Sequence, residues 1–232
     1  MRKVSKTIIL CFLFAIGACM STIDVKSVGM ETHSISTEEK ASIIENIHLQ
    51  IIQEDSRNTS IQCFDVSQDG MIALGSSSGG NKLIYVYDAS GTFQYGFCFY
   101  CDGAYGIEFQ GGNLGIYFLR GNVLVTYDSS GACVDVQKMA DTTENYAIAK
   151  DLLNRTEKYI AGRHYAMERN MEFGNAYSRF VVTDELGIKT VLFDSTKSHS
   201  ASQILFMLFL VGFLFAVIRG CVLKSMRDKR CT

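Results

Sequence analysis

The chain has 232 residues and no proline. A sortase sorting signal also joins an apolar helix to a basic tail, but it carries a proline just before the helix. The missing proline argues against that route to the cell surface. Histidine is scarce, and His33, His48, His164 and His199 show none of the H-E-x-x-H spacing that puts two ligands on one helix face. C-x-x-C occurs once, at Cys98–Cys101, with no second pair to complete a zinc site. There is no G-x-S-x-G elbow. In "GSSSGGNK" from Gly75, Asn81 stands where a phosphate loop needs its lysine, and no helix follows, so the stretch reads as a polar hairpin loop. Calcium-loop spacing is absent around the aspartates. No catalytic, cofactor-binding or metal-ligating residue is assigned from the sequence, and no cofactor is expected.

Basic charge is also missing from the middle of the chain. Eight of the 22 Lys and Arg lie near the ends: Arg2, Lys3 and Lys6, then Arg219, Lys224, Arg227, Lys229 and Arg230, opposed only by Asp228. Residues 21–200 keep 14 basic against 23 acidic side chains, a net of about −9. Nucleic acid demands a basic surface, so it is not an expected partner.

What is present begins with two apolar runs. Residues 1–20, "MRKVSKTIILCFLFAIGACM", set a basic n-region ahead of a short uncharged run, the layout of a signal peptide or N-terminal membrane anchor. "IGAC" at Ile16–Cys19 resembles a bacterial lipobox, which makes Cys19 a candidate for lipidation; cleavage and retention remain the alternatives. Near the other end, "ASQILFMLFLVGFLFAVI" runs from Ala201 to Ile218 without a charge. It shows no polar face, and Gly220–Leu223 can extend it into a transmembrane helix over 201–223. Lys and Arg resist translocation, so the basic tail 224–232 is expected in the cytoplasm and the acidic middle outside. Membrane lipid is therefore an expected partner.

Between these runs a pattern repeats. "IYVYDASGTFQYGF" from Ile84 is echoed forty residues later by "LVTYDSSGACVDVQ", with Asp88 and Gly91 answered by Asp128 and Gly131. A third copy, "FVVTDELGIKTVLFD", carries Asp184 and Gly187. Short apolar runs separated by Gly, Asn and Asp turns predict antiparallel strands, four in each of the repeats 61–99, 105–139 and 157–195. The interval from Asp128 to Asp184 is 56 residues, and a helix over 141–154 accounts for the excess. Asp141 followed by Glu144 suggests its cap, and Tyr146, Ala149 and Leu153 its buried face.

Four strands in about forty residues is the period of a β-propeller blade. The stretch "VSQDGMIALGSSSGGNKLIYVYDASGTFQYGF" resembles the S-x-D-G blades of NHL and TolB-like propellers, and uncharacterised membrane-anchored bacterial proteins that carry such repeats. The resemblance covers 61–195 and implies an all-β fold of about three propeller-like blades. Those families usually have four to eight blades, so three make an incomplete propeller. An antiparallel meander or sandwich is the alternative. An open arc exposes the faces of its first and third blades, which suggests a homodimer unless the helix and the 36–53 segment cap them.

Residues 21–60 read as a stalk or short helix and then a strand. Ser36 and Glu39 form a capping box, Ile44, Ile47 and Ile51 a stripe, and 48–53 an edge strand able to pair with 61–67. Outside the terminal runs the cysteines are Cys63, Cys98, Cys101 and Cys133. Cys98 and Cys101 are candidates for a structural disulfide, with buried free thiols the alternative. "CFYC" does not open a helix, so the thiolate activation of redox motifs is missing.

The combined expectation is a membrane-anchored extracytoplasmic protein that binds a partner or ligand at the cell surface, or scaffolds a membrane complex. A propeller-type lyase or hydrolase is a second reading, and would need acidic and basic side chains converging at one end of the blades. A sensor subunit acting through a membrane partner is a third.

Overall fold

The computed structural model describes residues 29–56, 58–169, 176–196, 205–215 and 219. The N-terminal run with Cys19, and the basic tail, lie outside the described residues.

The described residues are mostly strand, arranged as three four-stranded antiparallel meanders. The first is β3 (Ile61–Val66), β4 (Ile72–Ser78), β5 (Asn81–Tyr87) and β6 (Phe93–Phe99). The second is β7 (Tyr105–Gln110), β8 (Asn113–Phe118), β9 (Val123–Tyr127) and β10 (Cys133–Met139). The third is β11 (Glu157–Ile160), β12 (Arg163–Arg169), β13 (Tyr177–Thr183) and β14 (Lys189–Asp194). Two short strands extend outer edges: β1 (Thr32–Ser34) pairs with β10, and β2 (Gln50–Ile52) pairs with β6. The strand expected to join 61–67 thus pairs elsewhere. β3 already has β4 along one side and touches Tyr177 of β13 on the other, whereas β6 has a free edge.

Burial explains the spatial order. The first meander is apolar on both faces, as a central sheet must be. One face, with Cys63, Ala73, Ile84, Phe97 and Phe99, packs on Ile107, Ile116, Val125 and Tyr127 of the second meander. The other, with Phe64, Ile72, Leu74, Tyr85 and Tyr87, packs on Tyr165, Met167, Phe180 and Phe193 of the third. The far face of the second meander, with Tyr117 and Leu124, is covered by Ala149 and Leu152 of a helix and by Met30.

This order corrects two expectations. Blades following one another round an arc would put the third against the second. Instead the helix occupies that face, the third meander lies across the first, and the sheets do not close. The first meander is also no open end. The uncovered face of the third carries Arg179 beside Asp194 at 3.5 Å, His164 beside Glu157 at 3.1 Å and Lys189 beside Glu168, together with exposed Tyr159.

The helices differ in detail from their sequence signals. In α1 (Thr37–Ile47) the Ser36 side chain accepts from the Glu39 N–H, but only Ile47 of the expected stripe is buried, and Ile51 belongs to β2. In α2 (Thr143–Asn154) the cap is Thr142, which accepts from the Asn145 N–H, not Asp141. The buried residues are Asn145, Ala149 and Leu152, while Tyr146 is 71% exposed. Asn145 sets this rotation. Its amide holds the Glu31 N–H and C=O at 2.9 and 2.8 Å and the Ala140 carbonyl at 2.8 Å, which satisfies a buried polar group that hydrophobic patterning would have faced outward.

Of the expected membrane span, 205–215 and residue 219 are described. The stretch 205–215 is helical, and every large apolar side chain from Leu205 to Phe215 is exposed, by 44% to 71%. Among the described residues no helix is long and apolar enough to cross a membrane.

Candidate functional site

The first strands of the three meanders, β3, β7 and β11, meet at one end of the stack. There Asp65, 1% exposed, stands between Phe64 and Val66 of β3. Alternation sends Phe64 and Val66 into one core and Asp65 toward β7. An unpaired buried carboxylate costs several kcal/mol, so it must be matched. Arg155, just beyond α2, donates from Nη1 to Asp65 Oδ1 at 2.9 Å, and Lys158 of β11 donates from Nζ to the same oxygen at 2.7 Å. The Phe109 N–H of β7 donates to Oδ2 at 2.9 Å. Lys158 also reaches the Val66 carbonyl at 2.7 Å, and Arg155 Nη2 the Asp151 carboxylate at 3.0 Å.

Beside this network a relay of side chains ends on a second carboxyl. Thr126 Oγ1 donates to Gln110 Oε1 at 3.2 Å, Gln110 Nε2 to Tyr117 Oη at 3.1 Å, and Tyr117 Oη to Glu108 Oε2 at 2.8 Å. Burial pushes the Glu108 carboxyl above its ordinary value. The Asp65 charge adds to this, while the Tyr117 bond and the Arg155 and Lys158 charges oppose it. Asp65, Glu108, Arg155 and Lys158 line a cavity of about 430 Å³, with Asp69 and the Gly111–Gly112 turn at its edge.

The network fixes Asp65 in place. Both Asp65 oxygens accept bonds, and its charge is balanced by two cations. Glu108 is the carboxyl with an elevated affinity for a proton. No sequence signal had singled out these four residues. The clue was an acid inside an apolar strand, in "CFDV" and again in "GIEFQ", where a solvent-facing acid would break the burial pattern.

The expected turn residues lie elsewhere, at three separate hairpins with one geometry. Gly91, Gly131 and Gly187 donate to the carbonyls of Asp88, Asp128 and Asp184, each at 3.0 Å, with φ of 82°, 80° and 78°. Each Asp Oδ1 accepts two backbone N–H groups: from Ser90 and Thr92, from Ser130 and Ala132, and from Leu186 and Ile188. This is the three-residue hairpin, a turn closed by a left-handed residue. The Ser90 and Ser130 hydroxyls, then the backbone N–H groups, hold Asp88 and Asp128 below the usual carboxylate range.

The thiols of Cys63, Cys98, Cys101 and Cys133 are free. Phe97 and Phe99 point into the core shared with the second meander, so Cys98 between them faces the other way, while Cys101 packs against that same core. Cys98 and Cys101 are not joined in a disulfide here. The Cys63 thiol is fully buried and pushed up to about 12 by desolvation, which makes it inert. The loop of "GSSSGGNK" is a two-residue hairpin at Gly79–Gly80 between Ser78 and Asn81. His164 stacks on Tyr159 and contacts Glu157 on the outer face of the third meander. Among the described residues no group of three or more His, Cys, Asp or Glu is placed to hold a metal ion.

No protein-family model matches this chain, and none of the curated proteins is significantly similar to it.

Proposed function

We propose that this is a membrane-anchored extracytoplasmic protein, built as an incomplete propeller-like set of three blades, that binds a partner or ligand at the cell surface or scaffolds a membrane complex. The observation that carries the reading is the helical stretch 205–215, whose large apolar side chains are all exposed beside a domain that buries its own. An apolar helix without a polar face has no stable place in water. The charge asymmetry supports the orientation, with basic residues at the ends and an acidic middle. The shared Asp-x-x-Gly hairpin and the meeting of β3, β7 and β11 support blade-like repeats around a common hub.

The test is alkaline extraction of membranes from expressing cells. The full chain should stay in the pellet, and a chain stopped at Ser200 should leave it. Retention of the truncated chain, with release on Cys19→Ala, would transfer the anchor to a lipidated N-terminus. Release of the full chain would end the reading.

A second reading has one observation in its favour. Asp65, Glu108, Arg155 and Lys158 converge on a cavity at one end of the meanders, as a propeller-type lyase or hydrolase would require. In that reading Glu108 supplies the proton. The saturation of Asp65 favours binding, because both its oxygens are already held by Arg155, Lys158 and the Phe109 N–H.

A further inference from the structure

The third Asp-x-x-Gly hairpin differs from the first two where side chains face water. The first has Ser90 and Thr92 after its aspartate and the second Ser130 and Ala132, but the third has Leu186 and Ile188. All six residues do the same backbone work, donating N–H groups to the turn aspartate. The turn therefore does not need aliphatic side chains. Yet Leu186 is 84% exposed, more than any other large apolar side chain among the described residues, and Ile188 is 59% exposed. Tyr159, at 72%, stands at the same end of the sheet, in the register row Tyr159–His164–Thr183–Lys189 that borders the hairpin. Lys189 and exposed Arg163 flank it.

We propose that the Leu186–Ile188 tip seats in the interfacial zone of the lipid bilayer that anchors the chain. This rests on the anchor reading of 201–223. Two exposed aliphatic side chains at a hairpin turn, with a tyrosine, the exposed Arg163 and the Glu168-paired Lys189 behind them, match the chemistry of a membrane interface. A protein partner would want a broad patch, about 800 Å² on each side, and a convex tip does not supply one. Reach permits the contact. β14 is six residues, roughly 20 Å of strand, and the nine steps from Thr196 to Leu205 can extend roughly 30 Å, so the tip at the far end of β14 can reach the surface its own helix enters.

The chain has no tryptophan, so Leu186→Trp introduces a single emitter. The full-length variant is reconstituted into vesicles of phosphatidylcholine and phosphatidylglycerol, with and without acyl-brominated lipid. Ser130→Trp, the matching position of the second hairpin, is the comparison. The proposal expects blue-shifted emission and several-fold stronger bromine quenching for Leu186→Trp than for Ser130→Trp. Equal, water-like emission from both would overturn it, and so would a blue shift without quenching, which would mean contact with protein or a second copy. If the full chain does not float with the vesicles at all, the anchor reading falls and takes the tip with it. A chain that floats with Leu186→Trp unquenched sinks the tip alone.

Discussion

Asp65 and Lys158 stand 93 residues apart in the chain and 2.7 Å apart in the fold. Their contact joins the first strand of the first meander to the first strand of the third, and Arg155 closes the same carboxylate from the end of α2. Three pieces of chain that could pack independently are thereby fixed at one point.

Asp65→Asn should therefore be among the most damaging substitutions. It keeps the shape but leaves the partly buried Lys158 without its counter-charge and Arg155 with Asp151 alone. Breaking a buried pair of this kind costs about 3–5 kcal/mol. Urea midpoints should show a loss of that order, with a smaller loss for Lys158→Met, which leaves Arg155 on the carboxylate.

The three hairpin glycines should not respond alike to valine. All have positive φ, so each carries a strain of about 1–2 kcal/mol with a β-carbon. A Cβ at Gly131 would also meet Ile51 at 3.0 Å and one at Gly91 would meet Leu192 at 3.3 Å, whereas nothing lies within 4 Å at Gly187. Thermal unfolding should rank Gly187→Val as the mildest of the three.

Glu108 should give the stability a dependence on pH. Its carboxyl binds a proton more tightly folded than unfolded, because burial disfavours the charge. The stabilisation is full at low pH, falls as pH rises from about 4 through the folded value, and is then flat. Glu108→Gln should remove that decline. Urea midpoints of both proteins from pH 4 to 8 would show it, and parallel curves would assign the decline to other groups.

Asn145→Ala should loosen the start of the folded domain. It deprives the Glu31 backbone and the Ala140 carbonyl of partners, at about 1–3 kcal/mol for buried polar groups left unmade. Amide exchange should accelerate first around Met30–Ser34, where β1 lies on the edge of β10.

The strands and turns were legible because each obeys local chemistry: alternating apolar runs and an Asp-x-x-Gly sequence that closes a hairpin by its own hydrogen bonds. The spatial order of the meanders was not, because nothing local decides whether α2 or the third meander covers Tyr117 and Leu124. The helix face was misread by one position since Asn145, a polar residue, is buried by long-range bonds to Glu31. The hub escaped for the same reason. Arg155 and Lys158 look like ordinary surface cations in "NRTEKYI", and only the fold brings them to Asp65.

The most direct test of the proposed extracytoplasmic placement is thiol accessibility from outside intact cells. Ser130→Cys should place a thiol in the exposed turn of the second hairpin. Intact cells treated with a membrane-impermeant biotin–maleimide, followed by peptide mapping, should show label at position 130 and none at Cys231. Label at Cys231 with position 130 unmodified until the cells are broken would contradict the account.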